Sequence, residues 1–502
     1  MTHPHSVDEI EWKFSVGMEF DSLHVIAADS KGFVLQPIGA VRLSAIYYDT
    51  DDLRLARWGI TLRRRTGGDD AGWHLKLPVR RRERVELRLP LDDAPVGVVP
   101  AELLDLVAPY VRRAEVVEVA RIDTVRERTR VLHKTGRPLA ELADDDVEAH
   151  RDGQIVARFR ELELEALDAD AEKAMRKVAK VLKRGGAEPV EVPKLVRALG
   201  EQAAAPPDVV RRPWPEPDDR AGDAVRAHLA RHVQRLLIAD VDVRRGQPDA
   251  VHQVRVCSRQ LRAGLKAFAP LVDEAWACSL IEELRWLADA MGAARETDVL
   301  RTRLQRHAAE LPEAHEHIAR DVVDAALEPQ LAGALDDANA ALRSERHLDL
   351  LDALVAAAAA PPLTKRAKRP CDRVLPELTD DAWRRLAKRA KRLDRSSDTH
   401  SWHRTRLAAK SARYVAELAL PIMGRSMRPL AEGAAEVTDL LGEEHDAAIA
   451  QDALAVLAAA PGVDGAGGYV LGLLAQAARE DQQRLRARFL ERWPRIDRAA
   501  RD

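Results

Sequence analysis

Aromatic side chains make up only 4% of this 502-residue chain, too few to line a basic surface with stacking platforms for single-stranded nucleic acid. Cysteine is scarcer still. Cys257, Cys278 and Cys371 stand far apart, odd in number and without metal-ligand spacing, which argues against a disulfide framework and fits buried fillers in a reducing compartment. No apolar run approaches the roughly 18 residues that would span a bilayer, and no apolar signal core opens the sequence; a cytoplasmic, membrane-free protein is expected. A dominant charge is also lacking: 79 Lys and Arg face 82 Asp and Glu, a formal net charge of −3. Any affinity for a polyanion must therefore come from local patches.

What the chain does have is two different periodicities. From about residue 7 to residue 165 apolar and polar residues alternate. Ser44–Tyr48, Gly59–Arg65, Trp73–Leu77, Arg84–Leu89, Val119–Leu132 and Phe159–Glu165 read as strands. A helix is expected over Asp170–Arg184, stopped by Gly185-Gly186. Residues 201–218, with Pro206-Pro207 and Pro213-Trp214-Pro215-Glu216-Pro217, form a stiff connector. Beyond it the period lengthens to about 3.6 and the residues are Ala- and Leu-rich. The division expected is a strand domain over 1–200, a linker over 201–218 and a helical domain over 219–502.

In the strand half, charges of one sign share strand faces. Glu9, Glu11 and Lys13 alternate with Ile10 and Trp12, and Glu161, Glu163 and Glu165 alternate with Leu162 and Leu164. Arg63 and Arg65, His74 and Lys76, Arg84 and Arg88 about Glu86, and Arg126, Arg128 and Arg130 form the cationic counterpart. Usually such a face is simply wet. Closed into a barrel with these faces inward, however, the sheet would set a cationic wall against an acidic one. A condensed phosphate with its bridging cation needs both.

Glu9-x-Glu11-x-Lys13, Tyr48-Asp49-Thr50, Leu62-Arg63-Arg64-Arg65, Trp73-His74-Leu75-Lys76 and Glu161-x-Glu163-x-Glu165 resemble the CYTH family of triphosphate tunnel metalloenzymes over residues 7–200. The resemblance implies an eight-stranded antiparallel tunnel acting on tripolyphosphate-type substrates with Mg2+ or Mn2+. It implies that Glu9, Glu11, Glu161 and Glu163 hold metal and that Lys13, Arg63, Arg65, Lys76, Arg84, Arg126, Arg130 and Lys194 grip phosphate, with Glu9, Glu11, Lys13 and Lys76 the catalytic group. Pro193 stands where the family often has serine, and His74 where it often has threonine. The chemistry implied is attack of water on the terminal phosphorus of inorganic triphosphate. Family members that cyclise ATP or cleave thiamine triphosphate leave those activities as alternatives, beside a non-catalytic anion-binding role.

The helical half repeats itself. His252, Arg255, Arg259 and Arg262 recur at the same spacing as His403, Arg406, Lys410 and Arg413, with Lys266 extending the first copy. Steps of three and four put each set on one helix face, where like charges destabilise the helix unless an anion or neighbouring acids compensate. Metal binding through His400 and His403 is the weaker reading, since the flanking arginines repel a divalent ion. Each copy reaches a glycine about 40 residues on, Gly292 and Gly442, expected in a turn. His252-x-x-Arg255-Val256-x-x-Arg259-x-Leu261-Arg262 and its second copy resemble the CHAD domain over about 219–495. That resemblance implies paired pseudo-symmetric helical bundles whose basic surface binds inorganic polyphosphate, and polyphosphate granules as a place the protein would gather. The whole is expected to be an α+β multidomain protein, a β-barrel tunnel followed by an all-α domain, with triphosphate and polyphosphate as partners.

Overall fold

A computed structural model describes residues 5–29, 33–80, 83–95, 97–167, 172–460 and 463–501, with the side chains of 5–10, 79, 80, 83, 84, 172 and 174 outside the description. The chain divides into two compact units between Asp208 and Val209.

In the first unit the strands are β1 (His5–Val16), β2 (Phe33–Asp49), β3 (Thr61–Thr66), β4 (Gly72–Arg80), β5 (Glu83–Leu89), β6 (Val117–His133), β7 (Pro138–Arg151), β8 (Gln154–Ala166) and the short β9 (Glu188–Pro189). Their order is β5-β4-β3-β2-β6-β7-β8-β1-β9, and a further antiparallel pairing of β1 with β5 closes the described strands into an eight-stranded barrel. β1 serves both neighbours in turn: its first half pairs with β5 and its second with β8. Closure leaves few open edges for another chain to join.

Around the barrel run α1 (Ser22–Asp29), α2 (Arg54–Arg57), α3 (Ala101–Val111), α4 (Glu172–Arg184), α5 (Lys194–Leu199) and α6 (Glu201–Ala204). Outward-facing Phe14, Leu142, Leu162 and Leu164 pack beneath Met175, Val178 and Leu182 of α4 and Ile26 of α1. This is why the strands alternate so cleanly: one face is a dry helix-covered core, and the other face must be the lumen. At one end the lumen is apolar, with Ala45, Ile122, Val147 and Ala149 packed against Leu195, Val196 and Ala198 of α5. The short helix α5 thus stops that end, and its first residue, Lys194, is carried to the charged part of the interior.

The Tyr48-Asp49-Thr50 triplet lies outside that charged part. Asp49, fully buried, accepts from the backbone N–H groups of Thr50 (2.7 Å), Leu55 (2.8 Å) and Ala56 (2.9 Å), tying the end of β2 to the single turn of α2. Burial outweighs those bonds and pushes its carboxyl up to about 6.

The second unit holds α7 (Ala221–Arg244), α8 (Ala250–Ala267), α9 (Glu274–Ala290), α10 (Gly292–Ala308), α11 (Glu313–Leu342), α12 (Glu345–Ala359), α13 (Cys371–Ala390), α14 (Thr399–Met423), α15 (Arg428–Ala458) and α16 (Gly465–Ala499). One group packs α7, α8, α9 and α12; the other packs α13, α14, α15 and α16; α8 and α14 meet between them. Leu304, Leu327, Leu454 and Leu474 join α10 and α11 to the adjoining parts of α15 and α16. The two copies differ at their glycines. Gly292 opens a new helix after a break at Met291, whereas Gly442 lies inside the unbroken α15. The turn expected at Gly442 is therefore absent: a lone helical glycine costs about 1 kcal/mol, and Leu441 and Ala447 are buried on either side.

The proline-rich connector is not free chain. Asp208 accepts from Trp58 Nε1 (2.9 Å) and pairs with Arg112 (2.5 Å) in the first unit. In the second, Val209 O accepts from Gln234 (2.7 Å) and Arg231 lies over the Trp214 ring.

Replacing Asp49 by alanine would strand at least two buried N–H groups, each costing about 1–3 kcal/mol. Chemical denaturation should show the first unit destabilised by about 2 kcal/mol or more; an unchanged midpoint would contradict this account of α2.

Candidate functional site

Strand register decides which charges meet. Glu11 stands opposite Glu165, Lys13 opposite Glu163, Ser15 opposite Glu161, and Arg126 opposite Asp145. On the other side Arg63 faces both Tyr47 and His74, and Lys76 faces Glu86. A cavity of about 90 Å3 lies between these walls, lined by Glu11, Lys13, Arg63, Lys76, Arg126 and Glu163 among others. That is small beside the roughly 300–1,000 Å3 of ordinary ligand clefts. Its walls hold each other's charges.

Two carboxylates organise the web. Glu163 pairs with Lys13 (2.7 Å), Lys194 (2.7 Å) and Arg126 (2.5 Å). Burial works against its ionisation, yet those three cations hold it well below the usual carboxylate range. Burial likewise opposes charge on Lys13, but Glu11 and Glu163 lift its pKa above the ordinary lysine value. Glu86, fully buried on the opposite wall, receives Lys76 (3.5 Å), Arg63 (3.8 Å) and Arg88 Nε (2.6 Å), together with His74 Nδ1 (2.9 Å). Burial presses the His74 imidazole down to about 4 despite that bond.

Of the residues picked from sequence, Glu11, Lys13, Arg63, Arg65, Lys76, Arg126, Glu163 and Lys194 share this cavity. Glu9 pairs with Arg84 across β1 and β5; their side chains lie outside the described residues. Two sit elsewhere. Arg130 is exposed, beyond the end of the cavity. Glu161 is fully enclosed behind the wall, 2.6 Å from Arg197 and 3.1 Å from Lys194 of α5. Both its oxygens face cations, and through them it anchors the plug helix. Asp145 and Tyr47 escaped notice in the sequence, and Glu86 and Arg88 were seen on their strand face without being assigned a role in the site. Asp145 accepts Arg126 twice (2.8 and 2.7 Å) and Lys194 (2.8 Å), and Tyr47 OH accepts from Arg63 (3.3 Å). Among the described residues no group of three or more His, Cys, Asp or Glu is spaced to hold a metal. Glu11 and Glu163 are nonetheless drawn together by one ammonium, Lys13, at 3.2 and 2.7 Å. A pair of hard oxygen donors already sharing a cation suits Mg2+ or Mn2+.

In the helical unit, α8 and α14 bring the two stripes to one cavity of about 390 Å3, lined by Arg259, Arg406, Lys410 and Arg413 with Tyr414 and Asp446. Neighbouring acids settle part of the charge: Arg413 binds Glu417 (2.7 Å) and Asp439 (2.7 Å), and Arg255 reaches Glu296 at 3.5 Å. They do not settle the centre. Among the described residues Arg259, Arg406 and Lys410 form no ion pair, and the Nε atoms of Arg259 and Arg406 are buried without a hydrogen-bond partner. Lys410 is pressed down to about 8 by burial and by Arg406 and Arg259. His252, Arg262, Lys266 and His403 lie on the same stripes but outside the cavity lining; His403 instead packs on His445, ring centroids 5.1 Å apart.

The CYTH domain profile matches residues 8–191 and the CHAD domain profile residues 227–455. The uncharacterised protein Rv2226 of Mycobacterium tuberculosis is 36% identical over 489 residues, covering 92% of this chain and 91% of that protein. The chain belongs to the CYTH–CHAD proteins. Among solved structures, the CHAD domain from the plant Ricinus communis is 26% identical with a TM-score of 0.46, covering 57% of this chain and 96% of its own. PptA from Streptomyces chartreusis is 24% identical with a TM-score of 0.47, covering 55% and 100%. The CYTH family comprises triphosphatases and cyclases that generally use divalent metals. Among the described residues of this CYTH–CHAD chain, no helix is long and apolar enough to cross a membrane.

Since Lys410 loses its proton as pH rises through about 8, an anion seated in this cavity should be held more weakly at pH 9 than at pH 7. Lys410→Arg should flatten that decline in a titration by calorimetry; an unaltered pH profile would remove Lys410 from the site.

Proposed function

We propose that the first unit hydrolyses inorganic triphosphate to diphosphate and phosphate with Mg2+ or Mn2+, and that the helical unit binds inorganic polyphosphate. The observation that carries the reading is the convergence of cations and carboxylates on one lumen, Lys13, Arg126 and Lys194 about Glu163 and Arg63, Lys76 and Arg88 about Glu86. A condensed phosphate enters by exchange of partners. Arg126 and Lys194 leave Glu163 for phosphate oxygens, and Arg63 and Lys76 turn from Glu86, trading one set of charge-assisted bonds for another.

With Lys13 also turned from Glu11 and Glu163 to a phosphate oxygen, these two carboxylates, with Glu9 and Glu165 beside them by strand position, would hold the divalent ion. When bound, the ion supplies Lewis-acid neutralisation of phosphoryl oxygens. Water attacks the terminal phosphorus, the bond to the bridging oxygen breaks, and Arg63, Arg65 and Lys76 neutralise charge on the departing diphosphate. The fixed anchors Glu86, Asp145 and Glu161 keep these cations aimed inward throughout. Among the described residues Tyr47 is the one aromatic side chain in the cavity lining, which offers a nucleoside or thiamine ring little to stack on and favours the inorganic substrate.

For the helical unit, the buried and unpartnered guanidinium nitrogens of Arg259 and Arg406 support a polyanion held at the junction of α8 and α14. Its affinity should fall with salt, as counterions released on binding are recovered.

Purified protein should release phosphate from tripolyphosphate in Mg2+ or Mn2+. Glu11→Gln should reduce kcat/KM by more than about a hundredfold, the upper end of what losing an outer partner of a metal costs, with the melting temperature retained. Faster turnover of ATP to a cyclic product, or of thiamine triphosphate, would replace the substrate; no turnover of any triphosphate would leave a binding protein.

A further inference from the structure

Several arginines of the helical unit end on an acid. Arg301 reaches Asp324 (2.7 Å) and Glu328 (2.6 Å), Arg346 reaches Glu283 (2.7 Å), and Arg501 reaches Asp497 (2.8 Å). Between α13 and α14 a group of cations converges on one space instead. Arg385, Lys388 and Arg389 of α13, Arg392 just past its end and Arg404 of α14 line a cavity of about 550 Å3, and no carboxylate lines it. Among the described residues none of these five cations forms an ion pair; Arg385 Nε alone donates to a backbone oxygen, that of Asp381 (3.0 Å). Arg385 and Arg389, and Lys388 and Arg392, are four apart, a like-charge spacing that destabilises a helix.

The groove is separate from the cavity where the stripes meet. Arg404 follows His403 by one residue, about 100° around the helix, and Arg404 and Ser411 line the groove while Arg406, Lys410 and Arg413 line the other cavity. The groove offers charged donors set among small and aliphatic surfaces such as Ala408 and Leu407. It holds no aromatic ring to stack a base, so its chemistry suits a run of phosphates and not a nucleic acid.

We infer that the α13–α14 groove is a second polyphosphate site, and that one long chain occupies it together with the cavity between α8 and α14. The inference rests on the polyphosphate reading of that cavity. Both sites lie on one helix, whose diameter with side chains is about 10–12 Å. A chain seated in one is therefore held at high local concentration near the other, and avidity of this kind reaches about 10²–10⁴. Tripolyphosphate, too short to bridge them, gains nothing.

The test compares Arg389→Gln/Arg404→Gln in the groove with Arg259→Gln/Lys410→Gln in the cavity, each in the full chain. Binding of long-chain polyphosphate is measured across a salt series, with far-ultraviolet circular dichroism and melting temperature as checks of folding. The groove variant should bind the long chain at least about tenfold more weakly, with a log–log salt slope shallower by about 1.4 for two lost contacts. Should that double variant misfold, Arg404→Gln alone, at an exposed position, should show half the change in slope. Unchanged affinity and slope in a folded groove variant would overturn the second site, while a loss confined to the cavity variant would leave the proposed function intact. A loss confined to the groove variant would keep the groove and remove the cavity. A single-stranded oligonucleotide that displaces the long chain from the cavity variant, whose groove is intact, but not from the groove variant would overturn the choice of polyphosphate for the groove.

Discussion

The first unit depends on keeping buried charges of one sign beside buried charges of the other. Glu163 has three cations within 2.7 Å, and removing any one leaves charge uncompensated where desolvation is most costly. The barrel makes this possible because its apolar core lies outside the sheet, between strands and α4. The lumen is thus relieved of packing and can be given over to charge. A web of this kind is weak evidence of stability. Under the proposed function its sense lies in what it prepares: cations already aimed at one space, in which they would exchange carboxylates for phosphates without reorganising from water.

Where that web is anchored matters as much as what faces the cavity. Glu161 and Asp145 are both fully enclosed and both hold Lys194; Glu161 also holds Arg197, whose guanidinium lies 4.1 Å over Phe159. Lys194 belongs to a helix of only six residues, too short to stand without tertiary support. The acids behind the wall therefore do for α5 what its own length cannot. Pro193, in the extended conformation before α5 (φ −60°, ψ 152°), fits the last residue before a helix that needs no side-chain cap. The departure from a family serine is thus compatible with Lys194 reaching the lumen.

Much of this was legible in the chain. Period-two alternation marks β3, β4, β5, β6 and β8, and the charges on their inward faces name most of the cavity. β7 is hidden because Asp144-Asp145-Asp146 is a poor strand former by composition. Only register shows that Arg160 pairs with Asp144 (2.8 Å) and Arg126 with Asp145, so the acids are neutralised across strands. With β7 unseen, Asp145 could not be assigned. The first half of β2 is masked likewise by Pro37 and Gly39, which fall at a bulge. Glu86 was visible but looked like one acid between two arginines; that it gathers Arg63, Lys76 and His74 is a property of closure.

The helical unit answers the same electrostatic problem differently. In the lumen nearly every cation has a carboxylate, so an anion must compete for it. At the junction of α8 and α14 the second copy's Arg413 is neutralised by Glu417 and Asp439, while among the described residues Arg259, Arg406 and Lys410 make no direct ion pair, Asp446 acting on Arg406 and Lys410 only from a distance. Burial has already lowered Lys410 to about 8, so the free protein bears a cost that a bound polyanion would relieve. That difference sorts the two chemistries. Under the proposed function, a web that closes upon itself suits a small substrate released after each turnover, whereas a surface with cations in excess of direct partners suits a long flexible chain held by many weak contacts.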